Sequence, residues 1–237
     1  IQTDSQLKIS YKKGDVVTAL TRALTEKRLH HAYLFTGTRG VGKTTISRIF
    51  AKALNCQGAD GHGDMTAHPC GVCPACRAID EGRFPDYIEM DAASNRSVED
   101  MTALLERAMY APTQGRFKVY MIDEVHMLSS TAFNAMLKTL EEPPAHAVFI
   151  LATTELHKVP ATILSRCQRY DFTRIAPQDI EGRLLYVAGQ EKIELTPDAA
   201  GLIARLADGA MRDALSILDT CAGVTNQVDA DVVRRMA

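Results

Sequence analysis

No apolar run in this sequence approaches the roughly 20 residues that a helix needs to cross a bilayer, so a membrane partner is not expected. No secretory signal opens it either, which turns attention from disulfides to metal wherever cysteines cluster. There is no excess of positive charge. Lys and Arg number 27 against 29 Asp and Glu, for a net charge of −2, so any nucleic-acid contact has to come from a local patch rather than from the chain as a whole. Internal repeats and low-complexity tracts are also missing, which excludes solenoids and linkers. What remains is an ordinary soluble composition, 46% hydrophobic and 24% charged over 237 residues. That length suits one large domain, or one domain with a small second one. The chain begins at Ile1 rather than Met, which points to a fragment or an incompletely recorded start.

The stretch that organises the rest is Gly37-Thr38-Arg39-Gly40-Val41-Gly42-Lys43-Thr44, which fits the phosphate-loop pattern G-x-x-x-x-G-K-[ST] at every fixed position. Ala32–Phe35 before it reads as a buried strand, and the residues from Thr45 to Leu54 after it have helical apolar spacing. Glycines let backbone N–H groups turn inward around a phosphate chain, and the new helix points its positive end there. Lys43 is expected to reach the β- and γ-phosphates of a nucleotide, and the Thr44 hydroxyl to ligate magnesium. The complementary half is Phe117–Glu124, a buried β run closing on two acids. Asp123 at the tip of a parallel strand suits magnesium, and Glu124 suits polarisation of an attacking water. A further strand, 147–154, ends on Thr153 and Thr154, where a hydroxyl can touch that water or the γ-phosphate.

Four of the six cysteines, Cys56, Cys70, Cys73 and Cys76, lie within a glycine-rich insertion after the phosphate-loop helix. Their C-x-x-C-x-x-C run and the upstream thiol can close a tetrahedral zinc site with no open position, hence a structural one. His62 and His68 are possible substitutes for one thiol. Cys167 and Cys221 read as small packing side chains.

Elsewhere, Asp15 is a candidate cap for a helix through Val16, Val17, Leu20 and Leu24. Phe84–Asp91 reads as a strand, Val98–Met109 as an amphipathic helix, and Ser129 or Ser130 as the cap of a helix stopped by Glu141-Glu142-Pro143-Pro144. Residues 169–172 alternate like a last strand. From Gln178 onward only helices are expected, with Thr196-Pro197 and Asp229 as starts and Gly209 as a stop. The expected fold is α/β, a phosphate-loop core with a parallel sheet over residues 1–174 carrying the cysteine insertion at about 56–76, then a small all-helical domain over 175–237.

The phosphate loop, the four cysteines, Asp123-Glu124-Val125-His126, the run from Phe133 to Pro144 and Ser165-Arg166-Cys167 occur together. In this combination the chain closely resembles the gamma/tau family of bacterial clamp-loader motors, in the clamp-loader clade of AAA+ ATPases, over roughly residues 15–237. The intact loop argues against the delta-prime type, and the cysteine module against the archaeal and eukaryotic loaders. The resemblance implies a DNA polymerase III motor that binds and hydrolyses ATP, with magnesium, to load a sliding clamp onto primer-template DNA. It implies as partners delta, delta-prime and further gamma/tau copies, in the bacterial cytoplasm. Residues Gly37–Thr45 would then hold nucleotide, Thr154 would be a first sensor, Arg166 an arginine finger given in trans to a neighbouring subunit, and Arg212 a second sensor. Arg96 and Lys138 match positions that follow the DNA backbone, and Leu105, Met109 and Tyr110 match a clamp contact. Two departures stand out. Ile1–Lys13 does not match the family's opening, with Gly14-Asp15 where Gly-Gln is expected, which leaves the adenine contacts open. A third, collar domain is not in the sequence. The rival readings are a DExH-type helicase, which needs a second core that does not fit this length, and a nonhydrolysing zinc scaffold.

Overall fold

The computed structural model describes residues 15–94 and 97–237, which form two compact units. One holds the described residues up to Thr36 together with Lys43–Asp171, and the other holds Gly37–Gly42 together with Phe172–Ala237. No described helix is long and apolar enough to cross a membrane.

In chain order the first unit contains α1 (Asp15–Thr25), β1 (Ala32–Thr36), α2 (Lys43–Asn55), α3 (Pro74–Asp80), β2 (Tyr87–Asp91), α4 (Val98–Ala108), β3 (Lys118–Asp123), α5 (Ser130–Glu141), β4 (Ala147–Thr153), α6 (Ala161–Leu164) and β5 (Gln168–Asp171). The five strands make one parallel sheet in the order β2-β3-β4-β1-β5. Every residue of β1 and β4 is buried, as expected of central parallel strands covered on both faces. Side chains alternate between the faces. Leu34, Tyr120, Ile122, Phe149 and Leu151 pack in one core with Met101, Leu104 and Leu105 of α4 and Phe133, Met136 and Leu140 of α5. On the opposite face Tyr33 meets Phe50 of α2 edge-on at 5.1 Å. Each such fully buried side chain contributes about 1.5–3 kcal/mol through removal from water.

The helix starts follow capping chemistry. Ser97 accepts the Asp100 N–H ahead of α4, and Ser129, not Ser130, accepts the Ala132 N–H ahead of α5. The side chain of Asp15, expected as a cap, lies outside the described residues. Inside the cysteine insertion a short helix appears that periodicity does not announce: Cys73 caps α3, and Pro74 opens it.

The second unit contains α7 (Pro177–Gln190), β6 (Glu194–Leu195), α8 (Pro197–Leu206), α9 (Met211–Ala222), β7 (Gln227–Val228) and α10 (Ala230–Met236). Thr196 and Asp229 cap α8 and α10 as expected. The expectation of helices only is corrected in one detail. β6 and β7 pair in parallel over two residues each, because Glu194 and Thr196 hydrogen-bond across to Asn226 and Val228. Ile180, Leu184, Ile203, Leu218, Cys221 and Val233 fill this unit's core, so Cys221 is a packing residue.

Candidate functional site

Because all five strands are parallel, their C-terminal ends share one edge, where open α/β sheets bind ligands. β4 lies between β3 and β1, so its Thr153-Thr154 tip stands between the acids that end β3 and the end of β1 at Thr36. α2 starts at Lys43, and its first-turn Thr44 Oγ1 donates to Asp123 Oδ2 at 3.4 Å. Lys43 is 7% exposed. Burial and the adjacent Glu124 charge push Asp123 above the usual carboxylate range, while the Glu124 N–H, Lys43 and Thr44 pull it down.

Glu124 adopts a left-handed backbone with φ 49° and ψ 43°, a conformation that costs a non-glycine residue about 1–2 kcal/mol. Its N–H donates to Asp123 Oδ1 at 2.9 Å, and its Oε2 accepts from the Thr154 hydroxyl at 3.1 Å. The structure thus brings Thr44, Asp123, Glu124 and Thr154 into one hydrogen-bonded row.

The loop Gly37–Gly42 belongs to the second unit. Gly37 has φ 145°, and a Cβ there would stand 2.6 Å from the Phe172 carbonyl oxygen. Gly40 has φ 78°, and a Cβ there would meet Ala210 Cβ at 2.8 Å and Arg212 Cβ at 3.6 Å. Only glycine fits this path. The Gly40 carbonyl accepts the Met211 N–H at 3.1 Å, so the start of α9, with the exposed Arg212, is tied to the loop. Thr38 and Arg39 are exposed, Val41 is buried, and Gly42 and Thr45 are half-buried.

The four cysteine sulfurs all lie within 4.8 Å of one another. Backbone N–H groups of Gln57, Gly58, Cys70, Cys73 and Cys76 donate to Cys56, Cys70 and Cys73 sulfurs at 3.3–3.4 Å. Although burial works against it, the Val72 and Cys73 N–H groups and the neighbouring thiols bring Cys70 down to about 7. Burial raises Cys56 and Cys76. Neither histidine joins the cluster, since His62 and His68 are both exposed and stand outside the set.

The remaining expected residues are spread more widely. Arg166, half-buried after α6, donates to the Thr162 carbonyl at 2.7 Å and pairs with Glu141 at the end of α5. Cys167 beside it is pushed up to about 12 by burial, which argues against a reactive thiol. Lys138 is exposed on α5, while Arg96 lies outside the described residues. The expected clamp-contact set divides. Leu105 is 7% exposed and belongs to the core, whereas Met109 and Tyr110 are 60% and 71% exposed.

Sequence reasoning gave no role to several polar side chains that hold these parts in place. Arg116 donates to the carbonyls of Leu54, Cys56 and Gly63, tying the end of α2 to the cysteine segment. Asn55 Oδ1 accepts two N–H groups, from Arg116 and Phe117. Lys52, with its side chain 2% exposed, reaches Asp80 of α3 at 2.7 Å. The wholly buried Asp86 carboxylate accepts the N–H groups of Thr113, Gln114 and Gly115. His126 contacts Thr153 at the end of β4 and Glu155 just beyond it. A buried Lys or Asp in an otherwise apolar stretch is the signal that marks such residues, because neither charge is buried without a partner. Arg116 carries no such mark.

Two family models match the chain. Residues 12–176 match one described as DNA polymerase III, delta subunit, and residues 179–223 match one described as the DNA polymerase III clamp loader subunit, ATPase lid domain. The DNA polymerase III tau subunit of Salmonella typhimurium is 53% identical over 222 residues, 93% of this chain and 34% of that one. Those of Escherichia coli and Bacillus subtilis are 52% and 51% identical, over 93% and 86% of this chain. The chain spans about a third of the length of these relatives. Among solved structures, the RuvB Holliday junction branch migration motor of Thermotoga maritima is similar in fold, with a TM-score of 0.65 at 17% identity, over 93% of this chain and 66% of that one.

Proposed function

Given that the chain belongs to the DNA polymerase III clamp-loader subunit family, with the AAA+ fold of a gamma/tau ATPase region, we propose that it binds and hydrolyses ATP to drive the loading of a sliding clamp onto primer-template DNA. The observation that carries this reading is the polar row at one sheet edge: Thr44, Asp123, Glu124 and Thr154 linked at 2.9–3.4 Å at the start of α2.

The residues fit the groups they would hold. The Gly37–Gly42 path leaves no room for a Cβ at Gly37 or Gly40, as a backbone cradle for phosphates requires, and Lys43 follows at the positive end of α2. Thr44 and Asp123 are close enough to hold one magnesium, which would neutralise phosphate charge when bound. Glu124 takes the proton of the attacking water, and Thr154 orients that carboxylate. Arg212, at the start of α9, is assigned the role of second sensor in this reading. Arg166 serves a neighbouring subunit's nucleotide, and its pairing with Glu141 keeps it folded back in a chain without that neighbour. The sulfur spacing and N–H donors of Cys56, Cys70, Cys73 and Cys76 suit one zinc with four thiolates and no open position, hence a structural ion. Delta, delta-prime, further gamma/tau copies and the clamp are the partners in this reading, with Lys138, and by sequence Arg96, assigned to the DNA backbone and Met109 and Tyr110 to the clamp. By sequence the division in this reading is residues 1–174 for the nucleotide domain and 175–237 for the lid.

The test is ATP turnover by the full-length chain with its partner subunits, with clamp and primed DNA added or withheld. Stimulation by both is expected. Turnover indifferent to both would remove the loading function, and robust strand displacement by the same preparation would favour a helicase instead.

A further inference from the structure

His126 sits two residues beyond Glu124, in a short turn over Val125–Met127, and its side chain is only 5% exposed. The left-handed backbone at Glu124 buries Val125 completely and sends the next side chain back toward the neighbouring strand. There the ring is held at both nitrogens. Nδ1 lies 2.9 Å from Thr153 Oγ1, and Nε2 lies 3.1 Å from Glu155 Oε2. Thr153 ends β4 and is wholly buried. Its oxygen already accepts the Glu155 N–H at 3.0 Å, so the hydroxyl proton is available for Nδ1. Nε2 then carries the ring proton and donates it to Glu155. The Lys158 ammonium, 2.8 Å from Glu155, keeps that carboxylate below its usual range and therefore a charged acceptor. Glu124 Oε2, the oxygen that accepts from Thr154, is 3.5 Å from Nδ1. The carboxylate is therefore confined between a hydroxyl that bonds it and a ring that limits its travel.

Resting on the reading of Glu124 as the water-activating carboxylate, we propose that His126 is a positioning residue. It fixes the Glu124 segment to the tip of β4 through Thr153 and Glu155, so that the Glu124 carboxylate and the Thr154 hydroxyl keep one separation. An apolar side chain could fill the same space. A ring satisfied at both nitrogens also sets the register between two neighbouring strand ends, and a buried polar group would be costly there if it were not used.

The experiment uses the full-length chain assembled with its partner subunits, clamp and primed DNA. It measures kcat and KM for ATP, the affinity for labelled ATP, and the melting temperature. The variants are His126→Leu, His126→Asn, Glu155→Ala and Glu124→Gln. Loss of positioning at the reacting group is expected to lower kcat of His126→Leu by about 10- to 100-fold. ATP affinity should stay within about twofold, because the contact is not made to nucleotide. His126→Asn, whose amide oxygen can still accept from Thr153, should recover part of the rate, and Glu155→Ala should lose less than His126→Leu. Parental kcat in a folded His126→Leu overturns the proposal. So does a loss in which kcat, ATP affinity and melting temperature fall together, the mark of a merely structural role. If His126→Leu fails to fold, parental kcat in both His126→Asn and Glu155→Ala overturns it. Glu124→Gln separates the two levels. If that variant turns over like the parent, the reading of Glu124 is wrong and His126 has nothing to position. If it is inactive while His126→Leu is unaffected, only the inference about His126 fails.

Discussion

α2 carries a polar site at each end. Its first turn supplies Lys43 and Thr44, and its last residue hands the chain to Cys56 and the sulfur cluster, about 20 Å away at 1.5 Å per residue. The two ends are built differently. At the start, Thr44 and Asp123 touch through one long 3.4 Å hydrogen bond, Glu124 is strained, and Thr154 is exposed. At the finish, Asn55, Arg116 and the Lys52–Asp80 pair satisfy the backbone and one another within a mostly buried shell. In the proposed reading the first end has to exchange ligands and retains loosely held groups, whereas the second closes on an ion and is saturated by its own protein.

The largest expected effect falls on the saturated end. Purified chain should carry about one zinc, and a chelator should unfold the 56–76 segment, since a structural zinc contributes on the order of 10 kcal/mol. Metal analysis and circular dichroism before and after chelation check this, and protein that is fully folded without metal would show that the cluster is only a packing device. Next, Asp80→Ala leaves the Lys52 ammonium buried and unpaired. It should cost about 3 kcal/mol, read from denaturant unfolding, with ATP affinity little changed. Lys43→Ala should show the reverse pattern. It should weaken ATP binding by about 2–5 kcal/mol with a smaller change in melting temperature, measured by titration with labelled nucleotide. If both variants lose stability and binding equally, the two ends are not separable and the contrast fails. The smallest effect concerns the middle of the helix, where Arg48 meets Glu89 of β2 through two hydrogen bonds at 2.5 and 2.8 Å. Burial pushes Glu89 up, but the Arg48 and Tyr87 hydrogen bonds more than offset it and leave it below its ordinary value of 4.5. A depressed carboxylate stabilises the fold above the unfolded value and loses that contribution as pH falls through the folded one. The parent should therefore lose stability below about pH 4.5 more steeply than Arg48→Met. Parallel acid unfolding curves would remove the pair from the ledger.

At both ends the residues in fixed spacings are legible in the sequence and the groups that hold them in place are not. Lys43, Thr44, Asp123, Glu124 and the four cysteines stand in fixed spacings that chemistry requires, so their types and intervals were visible in the sequence. The strands were visible too, because β1, β3 and β4 are buried on both faces and read as continuous apolar runs. Their spatial order was not, since β1 pairs with β4 and β5 across long sequence gaps that no local pattern encodes. The same distance hid Arg116 from Cys56 and His126 from Thr153 and Glu155. α3 was missed because a seven-residue helix has too few turns to show a period. The β6–β7 pair was missed because two residues cannot alternate.

If Glu124 is the water-activating acid, its left-handed backbone sets thermal robustness against turnover. Glycine or asparagine would occupy φ 49° and ψ 43° at little cost, so Glu124→Gly relaxes the turn while deleting the acid. A selection scored on heat resistance alone would drift toward such variants and away from the proposed hydrolysis. By the same token Glu124→Gln, which retains both the side-chain volume and the conformational penalty, reports on chemistry without also rewarding the fold.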